Sequence, residues 1–207
     1  MPAFLGGLDQ IKKTTLNWVK KEIVIIGGAN GSGKTTFAKT FIKKYPYDFI
    51  NADEIAKELN PKDLNSVKLQ AGKIFFKKIQ TLINEKRNFV VESTLSGKYL
   101  IKLIHEVKEK GYLVKIIYLF LHEPEVCINR IKERVLKGGH YVPDEDVIRR
   151  YYRSKKNFWT VYKQLADKWS LVYNSEKQFI EIVKGSKDNY SIKNLQLFKT
   201  FINDIKK

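Results

Sequence analysis

Residues 28–35 read Gly-Ala-Asn-Gly-Ser-Gly-Lys-Thr, the spacing G-x-x-x-x-G-K-[ST], and they stand between the all-apolar run Ile23–Ile26 and a stretch of helical spacing that starts near Lys34. No other segment constrains the chain as much. Glycines reach backbone conformations closed to other residues, so successive N–H groups turn into one concavity, and the helix that follows adds its positive end. Such a loop suits an anion with several oxygens, a polyphosphate above all. A short run that is apolar throughout is what a parallel strand, buried on both faces, requires.

The remainder repeats this alternation. Tyr47–Ile50, Phe89–Val91, Leu113–Leu121 and Ser170–Tyr173 read as strands; 34–44, 65–85, 99–110, 124–137 and 143–158 read as helices, with Gly111 as a cap and Gly138-Gly139 as a break. Strands alternating with helices predict an α/β fold: a three-layer α/β/α P-loop NTPase with a parallel sheet and a small helical lid. The expected organisation is one domain, with a core over about 22–175, a lid over about 124–158, an N-terminal helix over 8–20 and a closing helix over 189–206. Ligands in such sheets bind beyond the carboxyl ends of the strands.

A chain of 207 residues, 43% of them apolar, can bury a core of its own. It has no apolar run near the ~20 residues that span a bilayer. Met1–Gly7 lacks the features of a secretory leader. The lone Cys127 permits no internal disulfide, and the setting expected is cytoplasmic. The net charge of +17 suits an anionic partner, nucleic acid included, although a lysine-rich solvated surface explains it as well. Arginine is more telling. Six of the 39 basic residues are arginine, and five of these (Arg130, Arg134, Arg149, Arg150 and Arg153) fall in one short stretch. Only arginine offers a planar fork to phosphate, so the stretch reads as a phosphate-closing lid hinged at Gly138-Gly139.

These features give each candidate a role. Gly28, Ala29, Asn30, Gly31, Ser32, Gly33, Lys34, Thr35 and Thr36 form the phosphate site; Lys34 reaches the β and γ phosphates, and the Thr35 hydroxyl ligates Mg2+. Asp53, just past the second strand, is placed to take the proton of an attacking hydroxyl, with helix capping as its competing role. Glu92 ends the third strand and either binds Mg2+ through water or grips the acceptor. Thr94 either bonds the acceptor or caps a turn. Arg134 and one or both of Arg149 and Arg150 face the phosphates, while His140 either touches phosphate or closes its loop. The chain has no N-K-x-D guanine motif, ABC signature or paired motor aspartates, which favours a kinase using ATP. Asn174 is a candidate neighbour of the base.

Taken in order, Gly27-Gly-Ala-Asn-Gly-Ser-Gly-Lys-Thr-Thr36, Asn51-Ala-Asp53-Glu-Ile-Ala56, Val91-Glu92-Ser-Thr94-Leu-Ser-Gly97, Arg134-Val-Leu-Lys-Gly-Gly-His140-Tyr-Val-Pro143 and Ile148-Arg149-Arg150-Tyr151 resemble the zeta toxin family of P-loop kinases over about 22–175. The resemblance implies ATP- and Mg2+-dependent transfer of a phosphoryl group to a hydroxyl of a small molecule, a UDP-N-acetyl sugar in the studied toxins. It also implies an antitoxin protein that obstructs the nucleotide site. It assigns Asp53 as base, Lys34 and Thr35 as phosphate and magnesium residues, Glu92 and Thr94 as acceptor residues and Arg134 as the phosphate arginine.

Overall fold

The computed structural model describes residues 21–175 and 178–206. The helix expected over 8–20 lies outside the described residues. In chain order the elements are β1 (Glu22–Gly27), α1 (Lys34–Lys44), β2 (Asp48–Ile50), α2 (Ala52–Leu59), α3 (Lys68–Asn84), β3 (Phe89–Ser93), α4 (Leu100–Glu109), β4 (Leu113–Phe120), α5 (Pro124–Leu136) and α6 (Asp144–Asn157). A π-helical turn (Phe158–Tyr162) and the short α7 (Lys163–Leu165) continue α6. Then come β5 (Lys168–Asn174), β6 (Phe179–Ser186), β7 (Asn189–Ile192) and α8 (Leu195–Ile205).

One sheet runs β2-β3-β1-β4-β5-β6-β7, parallel from β2 to β5 and antiparallel at β6 and β7. Strand β1 lies between β3 and β4, so the strand order reverses around it and a crevice opens at its carboxyl end. The apolar run of β1 is explained by what covers each face. Ile23 and Ile25 join the larger core with Phe75, Ile79, Leu103 and Phe201, whereas Val24 and Ile26 join Ala38 of α1 on the other side. A third cluster, with Ile128 and Ile131 of α5 and Val147 and Tyr151 of α6, seats the helical hairpin against Ala29 of the loop.

Two expectations need correction. The sheet is not purely parallel: after β5 the chain turns back twice. The closing helix over 189–206 is shorter, because Asn189–Ile192 pairs with β6 as a strand and α8 starts at Leu195. The physical reason lies in two small signals. Lys187 takes a positive φ of 50° in a tight turn with no glycine to advertise it, and Asn194 caps α8 by accepting from Leu197 N at 3.0 Å. Among the described residues no helix is long and apolar enough to cross a membrane.

Candidate active site

The loop after β1 is shaped by its glycines: Gly28, Gly31 and Gly33 all have positive φ. At Gly33 the constraint is double. Its φ is +90°, and a Cβ there would lie 2.2 Å from Nδ2 of Asn174, which donates to Ser32 O at 2.8 Å and ties β5 to the loop. No side chain caps the start of α1, and the Ser32 hydroxyl is buried without a hydrogen-bond partner. Lys34 is also buried; its ammonium donates to Ala29 O at 2.8 Å and lies 4.0 Å from Glu92. An uncapped helix start, a buried ammonium and an orphan hydroxyl on one glycine loop fit a polyphosphate.

Across the crevice, Glu92 of β3 accepts from the Thr35 hydroxyl at 2.9 Å and from Asn51 Nδ2 at 2.8 Å, both through Oε2. Burial pushes the Glu92 carboxyl above its ordinary range; Lys34 and the Thr35 hydrogen bond oppose this, and the neighbouring Asp53 and Glu54 reinforce it. Burial likewise pulls the Lys34 ammonium below its usual range, against Glu92 and Asp53, which hold it up. The pair is therefore poised rather than locked. At 4.0 Å the Coulomb gain does not cancel desolvation, and a bound anion and cation would be better partners for each. A threonine hydroxyl beside a carboxylate is a hard oxygen set. It suits Mg2+, which keeps several waters and takes few protein ligands.

Asn51 sets the geometry here. Its Oδ1 caps α2, accepting from Asp53 N at 2.8 Å and Glu54 N at 3.4 Å, while its Nδ2 holds Glu92. Capping is thus supplied by Asn51, and the Asp53 carboxylate is left exposed in the first turn of α2, where it lines the cleft.

That cleft has a volume of about 1400 Å³ and gathers Asn30, Gly31, Gly33, Lys34, Thr35, Thr36, Asp53, Glu92, Arg134 and His140. Gly28, Ala29 and Ser32 lie buried beneath the loop. Arg134, at the end of α5, donates to His140 O at 2.6 Å, and Gly139 N returns a bond of 2.9 Å to Arg134 O, so the hinge is folded against the arginine. The structure does not bring every candidate to the cleft lining. Thr94 pairs with the Ser96 hydroxyl at 2.9 Å instead. Arg149 is exposed and held by Asp146. Arg150 shares Asp146, at 3.0 Å, and meets the loop at one point, Asn30 Oδ1, at 3.3 Å.

Some lining residues had gone unassigned. Asn51 carried a legible signal, a capping residue type between a strand and a helix. Lys57, Asn65, Gln178 and Phe179 carried none, since only the fold brings the α2–α3 connection and the start of β6 to the same opening.

Known proteins resemble this chain in sequence and in fold. An uncharacterized protein of Haemophilus influenzae is 33% identical over 135 residues, covering 65% of this chain and 96% of its own. The solved AvrRxo1-ORF1:AvrRxo1-ORF2 complex with ATP superposes with a TM-score of 0.68 at 16% identity, over 88% of this chain; this chain spans 63% of that one. A structure of the PezAT chromosomal toxin-antitoxin system of Streptococcus pneumoniae gives a TM-score of 0.57 at 16% identity, over 78% of this chain and 70% of that one. At such identities these structures speak for the fold alone, the P-loop α/β/α architecture. The family itself is fixed by sequence: the zeta toxin profile matches residues 7–183, and this chain belongs to the zeta toxin family.

Proposed function

We propose that this protein is a phosphotransferase that moves the γ-phosphoryl group of ATP, bound with Mg2+, to a hydroxyl of a small molecule, a nucleotide sugar being the favoured acceptor. One observation carries the reading: the phosphate loop and the Asp53 and Glu92 carboxylates open into the same cleft. Backbone amides of the loop and Lys34 would hold the β and γ phosphates, and Thr35 and Glu92 are the residues that would hold the cation. The bound cation supplies charge neutralisation at the transferred group. Asp53 orients the acceptor hydroxyl and takes its proton as the new P–O bond forms. Arg134, with Arg150 reaching the loop from α6, closes over the phosphates; His140 lines the acceptor side. The ATP-bound AvrRxo1 complex supports the choice of nucleotide. PezAT, a toxin-antitoxin system, supports a protein inhibitor as partner.

The test is incubation with labelled ATP, Mg2+ and a metabolite extract, read by mass shift of the acceptor. The wild type should label an acceptor, and Asp53→Asn should lose about two to four orders of magnitude in transfer while still binding ATP. Slow phosphate release with no labelled acceptor would instead mark a nucleotide-operated switch. The +17 charge favours a second acceptor class, a nucleic-acid end. Retention on RNA or DNA that falls steeply with salt would support it, and no retention at moderate salt would remove it.

A further inference from the structure

The family match ends at residue 183, yet the chain continues into α8, which packs onto the arginine-bearing helix. Phe198 and Phe201 are buried, and Phe201 meets the rings of Phe120, Phe158 and Trp159 at 5.3, 6.2 and 5.9 Å. One turn on, Asp204 reaches under α6. Its Oδ2 lies 2.6 Å from the ammonium of Lys155, a residue 1% exposed, and accepts from the Tyr151 hydroxyl at 3.1 Å. Leu121 O, where the chain leaves β4, accepts from Lys155 at 3.1 Å and lies 2.8 Å from the Tyr151 hydroxyl, whose single proton is shared between Leu121 O and Asp204.

We propose that α8 is a strut for α6, and that Asp204 is a positioning residue that holds Arg150 at the phosphate loop by way of Lys155 and Tyr151. Tyr151 and Lys155 are four apart and so share one face of α6. Fixing both to the end of β4 and to α8 sets the rotation and height of that helix. Arg150 directly precedes Tyr151, and its guanidinium lies 3.3 Å from Asn30 Oδ1, near the long limit of a hydrogen bond. A buried ion pair is a poor way to gain stability, since desolvation offsets most of its attraction. What it offers over an apolar contact is direction. The 2.6 Å bond ties one point of α6 to one point of α8, whereas the ring contacts of Phe201 carry no comparable directional constraint. The role of Arg150 in this inference rests on the nucleotide reading given above.

The test uses the full chain with Asp204→Asn, Arg150→Ala and their combination, read by affinity for Mg-ATP and by hydrogen exchange of the 144–157 amides without ligand. Asp204→Asn should speed that exchange and weaken ATP binding, each by about tenfold or more. The combined variant should bind ATP no more weakly than Arg150→Ala alone. If Asp204→Asn does not fold, Lys155→Met with Asp204→Leu removes both buried charges together, which folds tolerate, and carries the same expectations. A lowered melting temperature with unchanged exchange and affinity would overturn the proposal, as would losses that simply add to those of Arg150→Ala. Should the wild type fail to bind Mg-ATP, the nucleotide reading falls, and the exchange of α6 still decides whether α8 is its strut.

Discussion

The Thr35 hydroxyl donates to Glu92 Oε2 at 2.9 Å, a bond that joins the first turn of α1 to the end of β3. It links the glycine-loop side of the cleft with the side that presents carboxylates. Both groups offer hard oxygens to one point, and Asn51 keeps the carboxylate turned there. A Mg2+ ion bound at the proposed site would depend on this pair.

Thr35→Ala should therefore act on the metal more than on the nucleotide. The Mg2+ concentration for half-maximal transfer should rise about ten- to a hundredfold. ATP affinity measured with the metal chelated should change little, because the loop amides and Lys34 are untouched.

The raised pKa of Glu92 has two signed consequences. Its carboxyl titrates above the reference value of 4.5 in the free protein, so the acid limb of kcat/KM should lie above that value. Mg2+ favours the carboxylate, so the limb of kcat should lie lower. In the ligand-free protein the native state binds more protons at this site than the unfolded chain between the two values. Stability should thus fall as pH rises through that window, and Glu92→Gln should flatten the fall. Urea midpoints across pH, compared between the two proteins, check the sign.

Asn51 does two jobs that substitution can separate. Asn51→Ala removes the cap of α2 and should cost about 0.5–2 kcal/mol of stability together with most of the activity. Asn51→Asp keeps the cap but turns a donor to Glu92 into a like charge. It should still yield folded protein, seen by circular dichroism, while transfer falls as far as in the alanine variant.

Gly139→Ala probes the hinge. An added Cβ would lie 2.5 Å from Arg134 Cγ and 2.8 Å from Arg134 O, with a backbone oxygen that cannot step aside. Relieving the overlap should cost about 1–3 kcal/mol locally and swing the arginine from the cleft. kcat/KM should drop sharply while the melting temperature of the core moves little.

The loop, the alternation of strands and helices and the order of the motifs were all legible in the sequence, because each depends on neighbours a few residues apart. Gly28–Thr35, placed after an apolar run and before a stretch of helical spacing, reads as a strand, a turn and a helix, and the apolar run Ile23–Ile26 already requires cover on both faces. Which candidates meet was a different matter. Thr94 and Arg149 had the residue types expected of the site, yet they lie away from the cleft lining, since Thr94 turns to Ser96 and Asp146 holds Arg149. The antiparallel return of β6 and β7 was hidden because Lys187, not glycine, takes the left-handed turn.

Sequence by itself determined the glycine-rich loop and the strand-and-helix frame, which follow from local backbone freedom and from the period of the apolar residues, and the family, which follows from the match over residues 7–183. Tertiary structure alone decided that Glu92 faces Thr35 and Asn51, and that Asp204 closes on Lys155 across 49 positions of chain. Such meetings depend on how helices and strands pack in three dimensions, and no local spacing encodes that.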